Sequence, residues 1–183
     1  MPLGLGWPNI VSVLRILLVP VVVVLVAVQT RAASYAATAV FVAGGLTDLL
    51  DGYLARRFGS STLTGAWLDP LSDKLLVAAT IIALTAISRF PVWAAVIILA
   101  REASVTFLRT WLGTRRTSMP ATEIAKWKTA AQVTAIGLYI LPLSASANVL
   151  KLTVLSIAVA ITVYSGVDYF LNVGRGRDVT KSG

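Results

Sequence analysis

Residues 16–58 read ILLVPVVVVLVAVQTRAASYAATAVFVAGGLTDLLDGYLARRF. This stretch holds no charge from Ile16 to Thr30, a single Arg31, no charge again from Ala32 to Thr47, and then Asp48, Asp51, Arg56 and Arg57 in quick succession. A bilayer core takes about 20 residues of helix, so two such runs joined at Arg31 read as two membrane-crossing helices with charge gathered at one end. The same pattern continues outward, with uncharged runs from Leu75 to Ser88, Phe90 to Ala100, Thr129 to Leu150 and Leu152 to Val167. Helices are therefore expected at roughly 10–28, 35–57, 66–88, 91–113, 121–142 and 149–172. The expected fold class is an all-α, polytopic integral membrane protein of six transmembrane helices.

Composition agrees with that reading. The 183 residues are 57% hydrophobic and only 13% charged, with mean hydropathy +0.82, whereas soluble chains run near 45–50% apolar and about 25% charged. Sixteen Lys and Arg against eight Asp and Glu give a net charge of +8. In a membrane protein such a charge favours anionic lipids or phosphorylated substrates as partners and leaves no expectation of nucleic acid. Without Cys or His there is no disulfide, no thiolate or imidazole metal site and no Ser-His or Cys-His pair. A general base or metal ligand must then be a carboxylate. The start, MPLGLGWPNIVSVLRI, lacks a short apolar core ending in a small-residue cleavage site, so no removable signal peptide is expected. Residues 1–173 are expected as a single membrane domain, and 174–183, GRGRDVTKSG, as a short cytoplasmic tail.

Orientation follows from where the cations fall. With the N-terminus in the cytoplasm, Arg56, Arg57, Lys74, Arg109, Arg115, Arg116, Lys126, Lys128, Arg175, Arg177 and Lys181 lie at or near the cytoplasmic face, leaving Arg31, Arg89 and Lys151 outside. The positive-inside rule then places both termini in the cytoplasm, which itself requires an even number of spans.

Four of the eight acids, Asp48, Asp51, Asp69 and Asp73, fall within 26 positions at the ends of the second and third helices. An unpaired Asp deep in a membrane helix costs about 2.5–3.5 kcal/mol, so such a concentration demands compensation. Asp48 and Asp51 are three apart and Asp69 and Asp73 four apart, so each pair shares a helix face, and a tight hairpin brings the two faces together. Two divalent ions balance four carboxylates, and ligation by oxygen alone selects Mg²⁺ or Mn²⁺ over zinc or copper. Such a metal pair suits displacement at phosphorus, by clamping the attacking and leaving oxygens. Gly52, Ala55 and Gly65 lie within about a turn of these acids and leave room for a ligand, although small residues serve equally for close packing of membrane helices.

The whole string, Asp48-x2-Asp51-Gly52-x2-Ala55-Arg56-x8-Gly65-x3-Asp69-x3-Asp73, resembles the signature of the CDP-alcohol phosphotransferase family at every fixed position. Chance agreement at eight positions is on the order of 10⁻¹⁰ per start site. The resemblance implies a six-helix membrane enzyme, usually a homodimer, that transfers a phosphoalcohol group from a CDP-linked donor to an acceptor hydroxyl and releases CMP. It implies two metal ions held by Asp48, Asp51, Asp69 and Asp73, with Asp73 also the base for the acceptor proton. It further implies that Gly52, Ala55, Arg56 and Gly65 line the cytidine diphosphate site.

The acceptor has to be read from the second half of the chain. There AREASVTFLR supplies Arg101 and Arg109, and KWKT supplies Lys126 and Lys128. Arg101 and Arg109 are eight apart, about 80° around a helix, so both can border one cavity, whereas Lys126 and Lys128 are about 160° apart and only one faces it. A cationic pocket suits an acceptor that carries phosphate. Arg109, Arg115 and Arg116 can alternatively serve only topology or lipid headgroups, and Arg101 can be spent on the adjacent Glu102.

These strings, with NIVSVLR at 9–15 and LDPLSDKLL at 68–76, are most similar to bacterial family members that join CDP-diacylglycerol to sn-glycerol 3-phosphate, giving phosphatidylglycerol phosphate and CMP. That implies a bacterial cytoplasmic membrane, with the active site on its cytoplasmic side. Ser12 stands where Thr is usual, and the loop Gly113 to Thr122 fits no pattern. Members that use inositol phosphate or phosphatidylglycerol as acceptor are the alternatives within the family. A divalent-cation transporter is the alternative outside it; that reading expects acids spread through the membrane depth and an inverted repeat, neither of which is present.

Overall fold

Two residues, Gln29 and Thr30, separate the first two helices, and each has a defined part in the junction. Gln29 adopts a left-handed φ of 57°, which ends helix α1, Trp7–Val28. The Thr30 hydroxyl accepts the Ala33 N–H at 3.2 Å and its carbonyl accepts the Ser34 N–H at 2.9 Å, so Thr30 is the N-cap of α2, Arg31–Phe58. This cap starts α2 about a turn before the expected residue 35, because a hydroxyl that satisfies an orphan N–H outweighs the polarity of the Arg31 turn.

Helix α3, Gly65–Ala86, closes just as specifically. Ser88 has φ 57°, Arg89 N–H bonds to the Leu84 carbonyl at 2.9 Å and Ser88 N–H to the Thr85 carbonyl at 3.0 Å. This is a Schellman closure with serine at the position usually given to glycine, and Pro91 follows it. The remaining helices are α4, Val92–Gly113, α5, Glu123–Ile140, and α6, Asn148–Gly174, the last entered through a 3₁₀ turn at Ala145–Ala147. The computed structural model describes residues 7–58, 65–113 and 123–174, with side chains described over 13–46, 74–108 and 127–171. Among these residues the chain is all-helical, with six α-helices and no strand.

The stretch Ala145–Leu171 is 27 residues long and apolar enough to cross a membrane; at 1.5 Å per residue it spans about 40 Å against a hydrocarbon core of about 30 Å. Shorter apolar stretches run over Val13–Val28 and Lys74–Ala86. Hydroxyls in these apolar helices are satisfied locally: Thr80 donates to the Leu76 carbonyl at 2.7 Å and Thr85 to the Ile81 carbonyl at 2.7 Å. Back-bonding of this kind lets a polar side chain sit where no water can reach it.

The chain divides into two compact units, Met1–Phe90 with Ile136–Ala145, and Pro91–Ala135 with Ser146–Gly183. In the first, α1 packs on both α2 and α3, burying Val22 and Val26 of α1, Ala37 and Phe41 of α2, and Leu76, Ile81 and Leu84 of α3. Phe90 meets Tyr139 edge to face at 5.0 Å. In the second, α4 packs on α6, burying Ala95, Ile98, Leu155 and Ala158 together with four polar residues, Lys128, Gln132, Thr162 and Ser165.

Candidate active site

Within the first unit, the ends of α2 and α3 are tied together from one side. Arg89 donates to the Ser34 hydroxyl at 3.1 Å, joining the end of α3 to the start of α2. Further along, Gly44 of α2 lies so close to α3 that a Cβ there would stand 2.7 Å from Leu76 Cδ2 and 4.0 Å from Leu18 Cδ1 of α1. Any side chain at 44 would have to displace the buried Leu76 side chain, and small residues of this kind let membrane helices approach closely.

Helical register carries this contact to the acids. Asp48 and Asp51 follow Gly44 by four and seven residues on α2, and Asp73 and Asp69 precede Leu76 by three and seven on α3. Offsets of three, four and seven recur on one face of a helix. By residue offset, Asp48 and Asp73 come about one helical turn, and Asp51 and Asp69 about two turns, beyond the Gly44–Leu76 contact, on the side away from the Arg89–Ser34 tie. The backbone is helical through Asp48, Asp51, Gly52, Ala55 and Arg56 on α2 and through Gly65, Asp69 and Asp73 on α3. The side chains of all eight lie outside the described residues.

Arg15 also belongs to this unit. It lies one turn before Leu18 on α1 and is 3% exposed, so a guanidinium is buried on the helix that packs against both acid-bearing helices. From sequence alone NIVSVLR is part of the resemblance, and Arg15 has no role of its own there. A lone charge at the head of the uncharged run that opens at Ile16 is the sequence signal that marks it.

The second unit holds the cationic residues expected of an acceptor pocket. Arg101 Nη1 donates to Glu102 Oε1 at 3.0 Å, and Lys128 Nζ donates to the same oxygen. One carboxylate thus bridges α4 and α5 and is shared by two cations. Arg101 Nη2 donates to Ser165 Oγ of α6 at 2.6 Å, and one turn along, Gln132 Nε2 of α5 donates to Thr162 Oγ1 of α6 at 3.0 Å. Lys128 is buried at 7% exposure while Trp127 beside it is 71% exposed, so Lys128 is an inward-facing lysine of the KWKT string. Arg109 and Lys126 are on α4 and α5, and their side chains lie outside the described residues. The expected Arg101–Glu102 pair is present, but it is one edge of a wider cluster.

Glu102 as a bridge, Ser165 and Gly166 as neighbours of Arg101, and the Gln132–Thr162 bond were not expected from sequence. A signal existed: Thr162, Ser165 and Gly166 recur at offsets of three and four within an otherwise apolar helix, and Lys128 and Gln132 are four apart. Among the described residues this buried cluster joins two cations to one carboxylate and draws on three helices, which suits an anionic ligand.

Comparison with known proteins bears on what these two clusters serve. Residues 5–164 match the profile of the CDP-alcohol phosphatidyltransferase family. A protein of Mycobacterium tuberculosis named probable phosphatidylglycerophosphate synthase is 40% identical over 164 residues, covering 88% of this chain and 78% of that one. The CDP-diacylglycerol–glycerol-3-phosphate 3-phosphatidyltransferase of Rickettsia bellii is 34% identical over 168 residues, 89% of this chain and 92% of its own. The protein of the same name from Haemophilus influenzae is 30% identical over 174 residues, 92% and 93% of the two chains. The matched region takes in the acid-bearing α2 and α3 and the α4–α5 cation cluster alike, and on that breadth the chain belongs to the CDP-alcohol phosphatidyltransferase family of enzymes.

Proposed function

We propose that this enzyme transfers the phosphatidyl group of CDP-diacylglycerol to a hydroxyl of sn-glycerol 3-phosphate, giving phosphatidylglycerol phosphate and CMP. The observation that carries the reading is the family match over residues 5–164, and the spacing of Asp48, Asp51, Asp69 and Asp73 along α2 and α3, which approach each other at Gly44 and Leu76, supports it. The names of the Mycobacterium and Rickettsia relatives support the donor and the acceptor.

In this reading the acceptor oxygen bonds to the phosphorus that bears diacylglycerol, the bond from that phosphorus to the CMP oxygen breaks, and the acceptor proton passes to the carboxylate of Asp73. Asp48, Asp51, Asp69 and Asp73 would hold two divalent ions, Mg²⁺ or Mn²⁺, which would supply positive charge to the diphosphate and acidify the acceptor hydroxyl. Arg56 faces the donor phosphates, and Gly52, Ala55 and Gly65 leave room for the cytidine. Arg101, Arg109 and Lys128, with Lys126 at the helix entrance, hold the acceptor's phosphate. Charge-assisted hydrogen bonds to three donors orient a small anion that offers little apolar surface to bind by.

The six helices span the bacterial cytoplasmic membrane with both termini and the active site on the cytoplasmic side, a reading that the distribution of Lys and Arg supports. Residues 1–173 act as one membrane domain and 174–183 as a tail, in a homodimer surrounded by membrane lipid. The test is CMP release by purified protein from CDP-diacylglycerol and Mg²⁺ with a panel of acceptors. Glycerol 3-phosphate should support release far better than inositol phosphate, phosphatidylglycerol or glycerol. Preference for inositol phosphate or phosphatidylglycerol would move the enzyme elsewhere in its family, and Mg²⁺ transport without CMP release would remove it from catalysis altogether.

A further inference from the structure

We infer that Ser165 and Gly166 of α6 are positioning residues for acceptor recognition, acting through Arg101; the inference rests on the proposed reading of Arg101 as a contact of the acceptor phosphate. Two of the three guanidinium nitrogens are committed, Nη1 to Glu102 at 3.0 Å and Nη2 to Ser165 at 2.6 Å. The third, Nε, is buried and has no hydrogen-bond partner among the described residues. A buried N–H left unsatisfied is costly, and an anionic oxygen satisfies it.

Gly166 accounts for the room around that nitrogen. A Cβ at 166 would stand 3.1 Å from Arg101 Cγ and 3.4 Å from Nε, so any side chain would press on the arginine stem and cover the uncommitted donor. Glycine inside a helix weakens it, and here the site gains a channel for the stem in exchange. Ser165, itself buried, then fixes the rotation of the guanidinium plane. An arginine held in one rotamer loses less freedom when an anion binds, which is how a residue with no contact to the ligand raises affinity for it. Neither position belongs to the acidic string or to the LR and KWKT strings, so α6, which reads from sequence as apolar pattern alone, acquires a part in substrate choice.

The experiment measures saturation curves for glycerol 3-phosphate and for CDP-diacylglycerol on the full-length protein, with detergent melting temperature followed alongside. Ser165→Ala and Gly166→Ala should each raise the glycerol 3-phosphate KM about 5- to 20-fold, less than the loss of a direct hydrogen bond to a charged group because both act through Arg101, while the donor KM and the melting temperature hold. Ser165→Thr, which keeps the hydroxyl, should stay near wild type. In an Arg101→Gln background Ser165→Ala should add nothing, since both changes act through one side chain. An unchanged acceptor KM in both variants, an equal rise in both KM values, or full additivity with Arg101→Gln would overturn the inference. If wild-type protein itself shows no use of glycerol 3-phosphate, the functional reading fails first, and that is seen before any variant is made.

Discussion

Arg101 illustrates how much one residue's depth decides. Its guanidinium is fixed by Glu102 and Ser165 within a cluster whose two cations share one carboxylate. Glycerol 3-phosphate is small and draws nearly all its binding energy from its phosphate, whereas CDP-diacylglycerol is anchored as well by acyl chains and diphosphate. A lost charge-assisted hydrogen bond is worth about 1.5–3 kcal/mol, so Arg101→Gln or Arg109→Gln should raise the acceptor KM roughly 10- to 150-fold and the donor KM far less. Paired saturation curves check this, with inorganic phosphate competing against the acceptor in the wild type. Unchanged acceptor KM in both variants would remove the cations from acceptor binding. The sequence names Arg101 and Lys128 because charge inside an apolar run is conspicuous. It does not name Ser165, Gly166 or Gln132, since uncharged small or polar residues stand out in a membrane helix only once their partners on other helices are known.

At the scale of elements, Gly44 ties the packing of α2 on α3 to the proposed metal site. It sets how closely α2 approaches α3 one turn before Asp48, and a larger residue must push Leu76 aside from a site where it is 2% exposed. Gly44→Val should cost about 1–3 kcal/mol of stability by overpacking. It should also raise the Mg²⁺ concentration needed for half-maximal turnover, because the acid-bearing faces separate. Detergent melting and a Mg²⁺ titration together check this; a destabilised protein with an unchanged Mg²⁺ requirement would detach the contact from the metal site. Helix number and placement were legible because apolar runs bounded by charge have few other readings. Boundaries were less so. The start of α2 moved to Arg31 through the Thr30 cap, and the end of α3 came at Ala86 through a left-handed serine, a conformation that residue type rarely announces. The spacing of the four aspartates is read from sequence, and their side chains lie outside the described residues, whereas the Gly44–Leu76 approach is invisible in sequence.

At the scale of the whole molecule, topology and activity make one account. With no native Cys, single cysteines report sidedness cleanly: in intact spheroplasts a membrane-impermeant thiol reagent should label Ser146→Cys and leave Ser182→Cys unlabelled, and the reverse pattern would invert the orientation. The central claim is that four aspartates on two meeting helix faces hold the metals that make phosphatidyl transfer possible. Its most direct test is a Mg²⁺ titration of CMP release from CDP-diacylglycerol and glycerol 3-phosphate by wild-type and Asp69→Asn proteins of matched melting temperature. Asparagine keeps the size and removes the charge, and the loss of one ligand should cost at least about 10- to 100-fold in metal affinity or rate. The account predicts saturable Mg²⁺-dependent release in the wild type and almost none in Asp69→Asn at any Mg²⁺ concentration, whereas near-normal turnover of Asp69→Asn at limiting Mg²⁺ would contradict it.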